Sequence, residues 1–131
     1  MRIAEKAYAK VNLHLDVLRK RKDGYHDIGT IFQTIDVYDE LIFESREDSE
    51  IVILGAEGLT PQLRDNLIFK AAMALRVFAN EHHRFVCDGP RNQEQGATIT
   101  LVKSLPAGAG LGGGSADAAA TLRKLAEIFN I

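Results

Sequence analysis

The chain carries one cysteine, Cys87, three prolines and no apolar stretch suited to spanning a membrane. A single cysteine excludes an intramolecular disulfide and every metal site built from several cysteines; it fits a reducing compartment, with packing as the expected role of Cys87. Basic excess is missing as well. The 16 Lys and Arg residues face 18 Asp and Glu, a net charge of −2, which argues against a general nucleic-acid binder. Any anion must therefore be caught locally. The first residues, Met1-Arg-Ile-Ala-Glu-Lys6, contain no apolar h-region and lead directly into folded-looking sequence. Neither export nor a transit peptide is expected, and the cytoplasm is the default location. Internal repeats and an interdomain linker are also absent. A length of 131 residues, with 46% hydrophobic and 26% charged, is one domain's worth of ordinary globular chain.

What is present in quantity is glycine, concentrated in one place. The run Pro106-Ala107-Gly108-Ala109-Gly110-Leu111-Gly112-Gly113-Gly114-Ser115-Ala116 opens straight into an alanine-rich, helix-forming segment. Glycines let backbone N–H groups approach an anion with no Cβ in the way, and the positive end of the following helix favours negative charge there. The pattern is that of a phosphate cradle. Gly108, Gly110 and Gly113 fit G-x-G-x-x-G, yet a dinucleotide fingerprint belongs in the first βαβ unit with an acidic residue about 20 positions on. Here the loop comes late and the chain ends first. A Walker A loop needs a lysine after its last glycine, where Ser115 stands.

Val11, Leu13, Leu15 and Val17 alternate with Asn12, His14 and Asp16, the pattern of a strand buried on one face. Arg19 to Gly24 makes a turn with an Asp-Gly signal, and Thr30–Val37 and Leu41–Glu44 read as further strands of a β-meander. Asp65-Asn66 offers helix caps, after which Leu67, Ala71, Ala74, Leu75 and Phe78 recur at helical spacing to about Asn80. Ala97, Ile99 and Leu101 mark one more strand, with Lys103 at its end and Pro106 as its stop. Asp88 to Gly96 reads as a polar surface loop, and His14, His82 and His83 as strand-face and helix-end residues rather than metal ligands. A final helix runs from Ser115, its expected cap, to about Phe129, with no glycine cap or proline stop behind it. Periodicity alone supports a mixed α/β fold.

Four elements in this order, Ala9-Lys-Val-Asn-Leu13, Arg21-Lys-Asp-Gly-Tyr-His26, Asp65-Asn-Leu67 and Leu105 to Ala119, resemble the N-terminal part of the GHMP kinase superfamily. Gly113 and Gly114 stand where most of the superfamily has two serines. That departure matches the diphosphocytidyl-methylerythritol branch and speaks against the homoserine, mevalonate and galactose kinases as nearest kin.

The resemblance implies an α/β (α+β) fold similar to ribosomal protein S5 domain 2, a mixed sheet with helices on one face. It implies transfer of the γ-phosphoryl group of ATP, with Mg²⁺, to the 2-hydroxyl of a cytidine diphosphate-linked methylerythritol. Lys10 falls where the family's lysine sits beside the reacting hydroxyl, and Asn12 where the substrate is contacted. Tyr25 and His26 belong to the cytidine pocket, Asn66 and Leu67 to the adenine contacts, Lys103 beside the nucleotide, and Pro106 to Ala116 around the triphosphate. Asp117, expected in the first turn of the final helix, is not assigned to the metal. The family's catalytic aspartate and second domain lie beyond Ile131, so the chain is expected to be the kinase's N-terminal half, inactive alone, with an unpaired sheet edge and an uncovered apolar face. The alternative expectation is a non-catalytic nucleotide-binding or interaction domain that keeps the cradle.

Overall fold

The computed structural model describes residues 1–82 and 95–131. Cys87 and His83 lie outside the described residues, as does the polar loop after Asp88 up to its last two residues.

Two long strands dominate. β1 (Arg2–Lys20) and β2 (His26–Arg46) pair antiparallel from Arg2 opposite Glu44 to Lys20 opposite His26. The turn between them is the expected Asp-Gly turn: Gly24 takes φ +90°, its N–H bonds Arg21 O, and Asp23 Oδ1 accepts from the Tyr25 N–H at 3.0 Å. Instead of two separate strands over 30–37 and 41–44, β2 is continuous. Tyr38-Asp39-Glu40 reads as a polar break, but Tyr38 packs edge-on against Tyr8 with ring centroids 5.4 Å apart and Asp39 turns inward to partners of its own.

β3 (Ile51–Leu54), a short strand that the sequence reading missed, and β4 (Gly96–Val102) complete a sheet of order β1-β2-β4-β3. β4 runs antiparallel to β2 and parallel to β3, so the arrangement is not a meander. A parallel pair needs a crossover, and α1 (Leu67–Glu81) lies on the path from β3 to β4. α2 (Gly113–Ile128) follows β4.

Register decides what is buried. Ile3, Ala7, Leu41, Phe43, Ala97, Ile99, Leu101, Ile51 and Ile53 share one face of the sheet and meet Ile68 and Ala72 of α1 and Ala120, Leu125 and Ile128 of α2. Leu41, Phe43, Ile99 and Leu125 are fully enclosed, each worth roughly 2–3 kcal/mol of apolar burial. Helices on one face of a mixed sheet is the expected class.

Three local expectations need correction. The Leu13, Leu15 and Val17 stripe is not buried: these residues are 52–65% exposed, because the outer half of the β1/β2 ribbon runs past the helices. α1 buries Ile68, Ala71, Ala72, Arg76 and Ala79, rotated from the expected face. Its inner position at Arg76 is tolerated because the guanidinium reaches Ser49 O and Gln95 O, while Phe78 stays outside, stacked on His82. α2 does have a stop: Asn130 adopts φ +53°, with its N–H on Glu127 O and the Ile131 N–H on Ala126 O, a Schellman cap that asparagine can serve in place of glycine.

Gly55 and Gly58 both hold φ +78°, but a Cβ on Gly55 would stand 2.1 Å from Leu101 O, whereas nothing lies within 4 Å of one on Gly58. Gly58→Ala is expected to lower stability by about 1 kcal/mol, the left-handed backbone term alone. Gly55→Ala adds a clash with β4 and is expected to lose about 3 kcal/mol, measured as the difference in urea midpoints.

Candidate functional site

The glycine run folds into a backbone cradle at the mouth of α2. Gly108, Gly110 and Gly112 take φ of +71°, +72° and +71°, while the only non-glycine residue with positive φ among those described is Asn130. Successive residues from 108 to 112 thus alternate in hand, the geometry that turns consecutive N–H groups toward one concavity. Gly112 is the N-cap of α2 and offers no side chain, which displaces Ser115 from its expected capping role to the helix's third position. The first helical bond is Ala116 N–H to Gly112 O at 2.9 Å, so the N–H groups of Gly113, Gly114 and Ser115 precede the ladder and stay available to an anion.

Two lysines close on this helix start from different strands. Lys10 of β1 donates from Nζ to Gly110 O at 3.0 Å and to Asn12 Oδ1 at 2.7 Å, and its backbone N–H bonds Leu111 O at 2.9 Å. A Cβ on Gly112 would sit 3.1 Å from the Lys10 side chain. Lys103, just past β4, stands on the other flank, 3.2 Å from the position of a Gly113 Cβ. A side chain at 112 or 113 would thus crowd the lysine packed against it. Leu67, at the start of α1, completes the wall with its Cδ1 3.1 Å from a Gly114 Cβ.

Behind the cradle lies a charged group that sequence reasoning did not anticipate. Asp39 is fully buried; Oδ1 accepts the N–H groups of Ser104 at 2.6 Å and Leu105 at 2.8 Å, and Oδ2 accepts Lys103 Nζ at 2.5 Å. Burial works against the Asp39 charge, but the Lys103 hydrogen bond and the two backbone donors outweigh it and hold the carboxyl below its usual value. Lys103, despite burial, is raised by Asp39 and Asp117. Asp117 is 3% exposed, lies one turn deeper in α2 than the first turn, and meets Lys103 at 3.2 Å. Burial chiefly, with the neighbouring Asp39 charge, pushes it up to about 6 against the pull of Lys103. Its Oδ1 has no hydrogen-bond partner among the described residues. The available signal was positional: Asp39 occupies an inward place in the alternation with Leu41 and Phe43, and Asp117 lies on the same α2 stripe as Thr121 and Ile128.

Lys10, Asn12, Leu67, Lys103 and the glycine run are therefore brought together. Asn66 is close by but its Oδ1 is engaged in capping α1 through the Ile68 N–H at 2.8 Å. Tyr25 and His26 are not in this cluster; they lie at the ribbon tip, with His26 opposite Lys20, ten residues along β1 from Lys10, or roughly 30 Å of strand. His26 does share a face with it, since Thr34, Phe32, Thr30, Ile28 and His26 alternate to one side of β2 and face Lys10 and Asn12 across the pair. Tyr25 is 76% exposed. Among the described residues no three His, Cys, Asp or Glu side chains are grouped to hold a metal, and no helix is long and apolar enough to cross a membrane.

Residues 66–131 match the family model described as the GHMP kinases N terminal domain. The chain belongs to the GHMP kinase family, whose members are ATP-using kinases. It is 43% identical over 129 residues to 4-diphosphocytidyl-2-C-methyl-D-erythritol kinase of Macrococcus caseolyticus, covering 98% of this chain and 41% of that protein. A crystal structure of 4-(cytidine 5'-diphospho)-2C-methyl-D-erythritol kinase superposes with a TM-score of 0.70 at 35% identity, over 97% of this chain and 41% of that one. Homoserine kinase from Cytophaga hutchinsonii shares the fold, with a TM-score of 0.54 at 20% identity over 74% of this chain and 29% of its own. The chain thus spans about two-fifths of the length of either of these diphosphocytidyl-methylerythritol kinases.

The two carboxylates titrate in opposite senses. Asp39, lowered in the folded state, contributes stability that is lost as pH falls below about 4. Asp117, raised to about 6, contributes stability that is full below about 4 and lost as pH rises through 6. Asp117→Asn is expected to flatten the fall in denaturation midpoint between pH 4 and pH 6.5 while leaving the acid limb in place; an unchanged slope between those values overturns the assignment.

Proposed function

We propose that residues 1–131 form the N-terminal, nucleotide-binding domain of a cytoplasmic kinase that moves the γ-phosphoryl group of ATP to the 2-hydroxyl of 4-diphosphocytidyl-2-C-methyl-D-erythritol, in non-mevalonate isoprenoid synthesis. The observation that carries this reading is the convergence of Lys10 and Lys103 on Gly112 and Gly113, at a helix start whose first N–H groups precede the α2 hydrogen-bond ladder. The relatives' names supply the substrate; the geometry supplies a site fit for its phosphoryl donor.

Phosphoryl transfer asks a protein chiefly for positioning and for charge stabilisation as negative charge shifts between oxygens. The alternating backbone from Gly108 to Gly112 and the first turn of α2 up to Ser115 would hold the triphosphate, with Leu67 and Asn66 beside the adenine. Lys10 brings an ammonium with three protons. Asn12 Oδ1 and Gly110 O fix two of them, which leaves the third to face the transferring group or the reacting hydroxyl. Lys103 is held at the rear of the cradle by two carboxylates, so it offers position more than net charge. His26, on the face shared with Lys10, would meet the base edge, and Tyr25, in the turn beside it, would stack on the cytosine ring.

Mg²⁺ fits as an ion carried by the nucleotide. A small hard cation commonly takes one or two protein oxygens together with phosphate oxygens, and both nearby carboxylates are committed to Lys103 and buried. The exposed Ser115 hydroxyl, in the first turn of α2, is the oxygen available to it. When bound, the ion supplies charge neutralisation on the phosphates.

A non-catalytic nucleotide-binding domain is the second reading, and one observation favours it: among the described residues no carboxylate pairs with Lys10 to take the hydroxyl proton. Calorimetric titration with Mg-ATP separates binding from turnover. Saturable binding by the 131-residue chain is expected, weakened at least tenfold in Gly112→Ala, where φ +71° strains any side chain and a methyl group would push the Lys10 side chain aside. Absence of ATP binding by the wild-type chain refutes both readings. Phosphorylation of the diphosphocytidyl alcohol by the chain alone, which is not expected, would establish that the general base lies within it.

A further inference from the structure

Asn12 holds Lys10 through one particular end of its amide, and the structure contains the reason that end is presented. Lys10 Nζ donates to Asn12 Oδ1 at 2.7 Å; Asn12 Nδ2 donates to Thr30 Oγ1 at 2.8 Å; Thr30 Oγ1 donates to His14 O at 2.7 Å. A carboxamide has two nearly isosteric ends, one donor and one acceptor, and its orientation follows from its hydrogen-bond network. An ammonium has protons only, so the reversed amide would set donor against donor. A threonine hydroxyl has a single proton, and here it is spent on the His14 carbonyl. Toward Asn12 it can only accept.

From this we propose that Thr30 is a positioning residue: its hydroxyl sets the polarity of the Asn12 amide, and through it the placement of the Lys10 ammonium over Gly110. The proposal rests on the reading of Lys10 as a group at the phosphoryl-transfer site, and gives that site a residue which touches neither nucleotide loop nor lysine. The relay crosses from β1 to β2 and back. Thr30 sits on the same face of β2 as Phe32, the residue opposite Asn12, so the register of the ribbon delivers the hydroxyl to the amide. A slip of one residue would turn Thr30 to the other face and release Asn12.

The variants are Thr30→Val, which keeps the β-branched shape and deletes the hydroxyl, and Thr30→Ser, which keeps the hydroxyl. Both are studied in the 131-residue chain, with backbone amide spectra as the check on folding. The first readout is the Asn12 side-chain amide signal in ¹⁵N-resolved spectra, assigned by its loss in Asn12→Ala. It is expected at a shifted position in the wild type and in Thr30→Ser, and at the position of a free carboxamide in Thr30→Val. The same signal position in all three proteins overturns the proposal, as does a serine variant that behaves like the valine one.

ATP titration of the same proteins is the second readout. Thr30→Val is expected to weaken ATP binding threefold or more and Thr30→Ser to stay at the wild-type affinity; anything less than a threefold loss in Thr30→Val, or an equal loss in both variants, overturns the placement of Lys10 through Asn12. Failure of the wild type to bind ATP refutes the nucleotide-site reading, while the amide signal still decides for or against the Thr30 relay. The two ideas therefore fail separately.

Discussion

A carboxylate with no exposed surface, Asp39, ties together the parts on which the site depends. It receives two backbone donors from Ser104 and Leu105 and the ammonium of Lys103. Leaving any of those donors without an acceptor in the interior would cost on the order of 1–3 kcal/mol, more for the charged one. The chain leaving β4 is thus held in a bend that sends Pro106 and the glycines toward Lys10. Burial of such a charge is tolerated because every partner comes from the segment it shapes. The cradle is not a flexible linker that happens to lie beside a helix; its first residues are anchored to the second strand of the sheet.

Sidedness of the sheet organises the rest. One face carries Leu41, Phe43, Ile99 and Leu101 under two helices. Toward the tip of the β1/β2 ribbon the helices end, and side chains such as Leu15, Val17, Ile28 and Phe32 remain in the open. Three register shifts in the β1/β2 pairing, between Tyr8 and Lys10, Asn12 and His14, and Val17 and Arg19, re-aim the side chains along the ribbon. Lys10 and Asn12 fall between the first two of these shifts, where the covered half of the ribbon passes into the bare half.

The glycine loop, the helix after it and the Asp-Gly turn were legible because each is written in local chemistry: positive φ, missing Cβ atoms, a helix start. The continuity of β2 was not, since Tyr38-Asp39-Glu40 looks like a turn until the partners of Asp39, some 65 residues away, are known. The burial of Leu13, Leu15 and Val17 was expected from alternation, which reports that a strand has an apolar face and says nothing of whether anything covers it. Sequence resemblance pointed to Lys10 and Lys103 without the buried Asp39 and Asp117 that hold Lys103. The capping serine was misplaced by local preference, because the hydroxyl at Ser115 is a good cap in general but a left-handed glycine already started the helix at Gly112.

That glycine start has a thermodynamic side. A helix started by glycine forgoes the side-chain bond that serine or asparagine gives, at a cost of about a few tenths of a kcal/mol, and α1, capped by Asn66, shows the same chain using that device where it is free to. The opening turn of α2 is therefore left incomplete by its own sequence, and an anion seated on its N–H groups would finish it. Folding and occupancy become linked equilibria: each tenfold rise in anion concentration above its dissociation constant adds about 1.4 kcal/mol to the folded state. In a cell the domain's persistence would then rise and fall with the supply of the molecule it holds.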